Sequence, residues 1–176
     1  MNSEIRIHVH LNSKQYRRFC AFDIFKRQRR WFVPVLTSMI VFTLAGAYTL
    51  LSKNQSGTVA GLLVGLGLAV PMFSFGMYLI QIEAQIAQLR LRQNPEIYWL
   101  HFREENVLAG SPGQSKPSAE IPWDQFWAAY RRKDASYLFF NQARAFILPD
   151  GQAENNVSGE QLFDYLRAHM PQDRCF

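Results

Sequence analysis

Hydrophobic and polar positions change rhythm several times along this chain. Residues 4–11 read EIRIHVHL, with Ile5, Ile7, Val9 and Leu11 on one face and Arg6, His8 and His10 on the other. Alternation of period two predicts a half-buried strand. Asn12 then stands three residues before Gln15, as in a capping box, and Tyr16, Phe19, Cys20 and Ile24 recur at helical spacing. The pattern predicts an amphipathic helix with Lys14, Arg17 and Arg18 off its apolar stripe. Two placements are open for it: on an anionic membrane surface, or packed under a soluble domain.

Periodicity then disappears. Trp31–Leu51 and Val59–Ile82 are charge-free runs, each long enough for a helix to cross roughly 30 Å of hydrocarbon. Two spans are predicted, joined by a short loop, Ser52–Thr58, whose one charge is Lys53. Gly57, Gly61 and Gly65 recur at a step of four and Ala69 continues the row. Small residues at that step let helix backbones approach closely, so the row is expected to pack against Ala45, Gly46 and Ala47 of the first span or against a second copy in a homodimer. Pro71 is expected to kink the second helix. Neither span holds an Asp, Glu, Lys, Arg or His, so the usual mark of transport or proton relay is missing. Past Ile82, helical spacing persists through Ile86 and Leu89 until Asn94 and Pro95, which predicts a stalk.

The remaining pattern consists of short aromatic and β-branched runs: Glu96–Phe102, Asn106–Ala109, Ser118–Trp123, Phe126–Arg132, Ser136–Asn141 and Ala143–Leu148. Turn signals separate them, among them SPGQSKPS at 111–118 and PDG at 149–151. A second capping box, Ser158 to Gln161, opens a terminal helix that runs toward Pro171. The expected organisation is residues 1–30 as strand and basic helix, 31–93 as a two-helix transmembrane hairpin (31–51 and 59–82) with its stalk, and 94–176 as an antiparallel β domain with a final helix.

Charge orients this scheme. The net +5 comes from 19 basic against 14 acidic residues, and residues 1–30 alone hold 8 basic and 2 acidic ones. Lys26, Arg27, Arg29 and Arg30 abut the first span, and Arg90 and Arg92 follow the second. Basic flanks stay on the cytoplasmic side, so both termini are expected there and the short loop outside. An excess confined to a span border also argues against nucleic acid as a partner. About 30 mostly polar residues precede Trp31 and no small-residue cleavage site follows a short apolar core, so a cleaved signal is not expected. Cys20 and Cys175 fall in segments assigned to the cytoplasm and are expected to be reduced, structural thiols.

Candidate chemistry is sparse. His8 and His10 share a strand face, but no third ligand lies near them in sequence, so they are expected to be exposed imidazoles and no metal or cofactor is expected. Glu104 and Glu105 are adjacent and should point apart, unlike an acid and base pair. No G-x-S-x-G elbow, Walker-type loop or H-E-x-x-H occurs, and no enzyme is expected. Trp127, Arg131, Arg132 and Lys133, with Tyr130, form the one basic and aromatic cluster after the spans. It is expected either to contact acidic headgroups or a partner, or to be a solvated strand end with aromatics in the core. Trp31, Tyr78 and Trp99 are expected at an interface or in the core.

Ile121-Pro-Trp123-Asp-Gln-Phe126, Tyr137-Leu-Phe-Phe140 and Ala145-Phe-Ile-Leu-Pro149, together with the order of parts, resemble the YcxB-like family of small bacterial membrane proteins. The resemblance implies an α+β membrane protein with a pleckstrin-homology (PH)-like domain of seven strands and a capping helix; six strands are expected after the hairpin, so Ile5 to Leu11 is expected to join the same sheet as the seventh. One departure is Asp150, where a basic residue soon after the proline is expected; no Lys or Arg follows before Asn156. The resulting expectation is a non-enzymatic, multi-pass protein of the bacterial inner membrane, in contact with membrane lipids and with an unidentified protein partner. Two alternatives stand beside it: an immunity protein that neutralises a toxin by direct binding, and an accessory subunit of a membrane complex.

Overall fold

The computed structural model describes residues 4–29, 31–51 and 57–176; Arg30 and most of the expected inter-helix loop, Lys53 included, lie outside the described residues. The chain is α+β and divides into two compact units, one formed by the segment up to Phe19 with Arg90–Phe176, the other by Cys20–Leu89.

In the first unit, β1 (Ile5–His10) obeys its alternation: Ile5, Ile7 and Val9 are buried while Arg6 and His8 are exposed. It pairs antiparallel with β2 (Glu96–Phe102), which pairs with β3 (Asn106–Gly110), and β3 with β4 (Ala119–Pro122). Glu104 and Glu105 form the exposed tip of the β2–β3 hairpin, closed by the Arg103 N–H donating to the Asn106 carbonyl at 2.9 Å. The seven expected strands are present, but they form two sheets instead of one. β5 (Ala128–Arg131), β6 (Ala135–Phe139) and β7 (Ala145–Pro149) make a separate antiparallel sheet in that order. The split follows from Pro122 and the single helical turn Trp123–Gln125, which interrupt the ladder between β4 and β5.

Tyr98 ties the two sheets. Its hydroxyl donates to the Ile147 carbonyl (2.9 Å) and accepts from the Ile147 N–H (2.7 Å), so a side chain on β2 supplies what a neighbouring backbone would have supplied on β7. Burial pushes the Tyr98 phenol well above its usual range. The core between the elements is filled by Phe102, Phe126, Phe139, Leu100, Leu138 and Leu148, all essentially inaccessible.

Both capping boxes form. Asn12 and Gln15 exchange side-chain to backbone hydrogen bonds at 3.1 and 2.9 Å at the start of α1 (Ser13–Phe22). This helix packs on the sheet unit through Phe19, which meets Tyr137 edge-on with centroids 5.1 Å apart and lies 6.0 Å from Phe139. At the other end Ser158 and Gln161 reciprocate at 2.9 and 3.2 Å and open α4 (Gly159–His169), which buries Leu162 and Leu166.

The second unit consists of one π-helical turn, Asp23–Arg27, followed by α2 (Phe32–Leu51) and α3 (Gly57–Gln88). Both helices are long and apolar enough to cross a membrane, and most of their apolar residues are exposed. They pack antiparallel, Val33 and Thr37 sharing a cleft with Val70, Ser74 and Tyr78, and Phe42 meeting Gly67. At 32 residues α3 reaches about 48 Å. Its helical span runs through Pro71 without interruption and ends a few residues before the expected stop, where Arg90 and Asn94 take left-handed backbone conformations.

Of the two packings expected for the glycine row, the one against the first span is not formed. A Cβ on Gly57, Gly61 or Gly65 would meet nothing within 4 Å, Gly46 is equally open, and Ala69 is exposed. Gly67 is the close-contact glycine: a Cβ there would lie 2.8 Å from the Phe42 ring. Two residues along a helix is a turn of about 200°, so Gly67 faces away from Gly65 and Ala69.

Candidate interaction surface

Strand β5 is the edge of its sheet, and an unpaired edge exposes hydrogen-bonding groups that a protein must cover. Here the segment Cys175–Phe176 covers part of it: the Phe176 N–H donates to the Ala129 carbonyl (2.9 Å), and the Arg131 N–H donates to the Phe176 carbonyl (2.7 Å). Burial raises the Cys175 thiol above its usual range, which disfavours a reactive thiolate. The backbone pairing brings the Phe176 ring onto Tyr130, stacked at 5.1 Å and 20°.

Just before β5, Phe126 turns wholly inward and Trp127 outward, 41% exposed. Trp127 rests its edge against Phe139 (6.4 Å, 80°) and Phe126 meets Phe140 at 6.4 Å. Between Trp127, Tyr130, Phe140 and Phe176 lies an open groove of about 590 Å³. Its margin carries Asp124, Asp173 and Arg174, with the Arg174 guanidinium donating to the Phe126 carbonyl at 3.2 Å. Rigid aromatics around a concavity with a polar rim are the ordinary make-up of a protein-binding hot spot.

The four residues of the basic and aromatic cluster are not brought together as one patch. Arg131 forms a two-pronged ion pair with Asp150, Nη1 to Oδ1 at 2.7 Å and Nη2 to Oδ2 at 2.8 Å, with both side chains less than a third exposed. The carboxylate raises the Arg131 pKa further. Gly159, the first residue of α4, lies so close that a Cβ there would stand 2.1 Å from Asp150 Oδ1 and 2.6 Å from Arg131 Nη2. Asp150 thus holds Arg131 at the start of a helix, where negative charge is favoured. The acidic residue at position 150 therefore has a structural use. Arg132 is half-buried and its N–H closes the β5–β6 turn on the Ala135 carbonyl at 2.9 Å, while Lys133 is exposed at the tip. None of these three cations lines the groove.

The basic border divides as well. Lys26 and Arg29 are exposed, whereas Arg27 pairs with Asp23 one turn earlier and its side chain is 6% exposed. His8 Nδ1 is 2.7 Å from Glu96, and buried His101 is held by Glu4 at 2.9 Å. Among the described residues no three His, Cys, Asp or Glu side chains converge as metal ligands. Trp99 is on the outer face of its sheet, half-buried. Phe140 lies in the aromatic run of 136–141 with nothing in that run to mark it as a groove residue, and Phe176 stands outside every periodic run.

No family model, curated protein or solved structure matches the chain.

Proposed function

We propose that the chain is a non-enzymatic, multi-pass protein of the bacterial inner membrane that holds a PH-like binding domain at the cytoplasmic face, where the domain takes a protein partner. Seven antiparallel strands closed by a capped helix support the PH-like reading. Two long, outwardly apolar helices support the membrane anchor. Exposed Lys26 and Arg29 beside α2 support cytoplasmic termini.

The groove of Trp127, Tyr130, Phe140 and Phe176 carries the partner assignment. Its charged margin is mixed, two Asp against one Arg, and Arg131 is committed to Asp150. An anionic leaflet is therefore a poorer occupant than a peptide that buries an apolar side chain among the four rings. A partner that is a toxin would make this an immunity protein. Affinity capture of the tagged full chain, wild type against Trp127→Ala, tests the proposal: one discrete protein should depend on Trp127. Capture of the same proteins by both forms would contradict it.

A second reading has its own observation. The open row of Gly57, Gly61, Gly65 and Ala69 is a surface on which another membrane helix could seat, as in an accessory subunit or homodimer. Blue-native electrophoresis of wild type and Gly61→Leu tests it, and an unchanged oligomeric state would remove it.

A further inference from the structure

The outer face of the four-stranded sheet carries a second concavity, independent of the groove and of whichever partner the groove takes. Arg6 and His8 point outward from β1, opposite His101 and Trp99 of β2. Trp99 in turn faces Gly110 of β3. A Cβ on Gly110 would lie 2.2 Å from the indole carbons Cε2 and Cζ2, so the ring lies across a backbone that only glycine leaves bare, and Nε1 donates to the Gln114 carbonyl at 2.8 Å. That bond folds the loop after β3 back beside the sheet, through Gly113 at a φ of 73°. The result is a depression of about 560 Å³ with Trp99, Leu108 and Pro117 as apolar walls and Arg6 and Arg103 as cations. Small-molecule sites are commonly of about 300–1,000 Å³, apolar with a few convergent polar groups.

The charges within it are unevenly spent. Glu96 is engaged by His8 at 2.7 Å. Glu4 holds His101 at 2.9 Å and reaches Arg103 only at 3.8 Å. Arg6 makes no ion pair or hydrogen bond among the described residues. One guanidinium is thus unengaged and a second only loosely held, beside an indole fixed in place by its own hydrogen bond. Guanidinium groups are suited to bidentate recognition of phosphate and carboxylate.

We infer that this depression binds a small anion, a phosphate or carboxylate, carried on a flat apolar body: Arg6 and Arg103 take the anion and Trp99 the body. A lipid headgroup and a soluble phosphate ester present the same chemistry. The test uses the full chain in phosphatidylcholine nanodiscs, titrated calorimetrically with phenyl phosphate, inorganic phosphate and phenol. Phenyl phosphate should saturate with a Kd of about 1 mM or lower. The double variant Arg6→Gln with Arg103→Gln should weaken it about tenfold or more, and inorganic phosphate and phenol should each bind more weakly than the ester. Arg144→Gln, an exposed cation beyond the depression, should leave the affinity unchanged.

Competition by nanodiscs containing phosphatidic acid would assign the anion to a headgroup, and its absence would assign it to a soluble ligand; the site stands in both cases. Lack of saturation, or equal losses in the Arg6/Arg103 and Arg144 variants while both remain folded by circular dichroism, would overturn the inference.

Discussion

The two units treat the same residue types in opposite ways. Phe126, in the sheet unit, is fully buried among aromatic neighbours, whereas Phe73, on α3, is 73% exposed. Phe102, Phe139 and Leu100 follow the first pattern; Met72, Leu79 and Ile80 follow the second. The first pattern is stabilised by removing apolar surface from water; the second leaves apolar surface outward on helices long and apolar enough to cross a membrane, where packing between helices would rest on close steric fit. Glycine divides by the same logic. Gly110 and Gly159 in the sheet unit, and Gly67 between the helices, each admit a neighbour that a Cβ would displace, while Gly57, Gly61 and Gly65 admit nothing from their own chain.

The contrast breaks most visibly at the two phenylalanines. Phe126→Ala should cost about 3–5 kcal/mol through the cavity it leaves, seen as early unfolding of the sheet unit by pulse proteolysis in nanodiscs. Phe73→Ala should change the unfolding midpoint little. A large loss from Phe73→Ala would mean that its face is packed and not solvated by lipid.

Tyr98→Phe removes the link between sheets and leaves the Ile147 N–H and carbonyl unpaired, an expected cost of about 1–3 kcal/mol. Its pH dependence has a definite sign. The folded-state pKa is raised, so the contribution of Tyr98 is complete below the unfolded value of about 10 and is lost as pH rises through the folded one. Wild type should therefore lose stability at alkaline pH with a slope that Tyr98→Phe reduces.

Within the helical unit, Gly67→Leu should force Phe42 and α2 away, at about 1–3 kcal/mol for overpacking, and should lower disulfide trapping between cysteines placed on the facing surfaces of α2 and α3. Gly61→Leu should leave that trapping unchanged. The smallest effect sharpens the comparison from the sheet side: Ser158→Ala removes one cap of α4 and should cost about 1 kcal/mol in thermal unfolding.

How far the sequence discloses this molecule depends on the range of the interactions. The alternation of Ile5 to Leu11, both capping boxes and the lengths of the apolar runs are local, and each appears in the structure where its pattern predicts. The division into two sheets is not local: polar Asp124 and Gln125 mark a break between two runs, but nothing in that break says that β4 and β5 belong to different sheets. The glycine row has the right spacing for a tight helix contact, but spacing does not say which face meets α2; Phe42 over Gly67 does. Arg131 stands in a basic run and is claimed by Asp150, a partner 19 residues away. The sequence leaves Trp127 open between a surface contact and the core, and the structure has it 41% exposed, whereas Phe176 reaches the same groove through backbone pairing with β5 that no periodicity announces.

Photo-crosslinking in living cells tests the central claim most directly, with a benzophenone amino acid placed at position 127 in the groove or at position 160 on the exposed face of α4. A partner-binding groove predicts one dominant protein adduct from position 127 and none of that size from position 160. Identical adduct patterns from both positions, or only lipid-linked product from position 127, would contradict it.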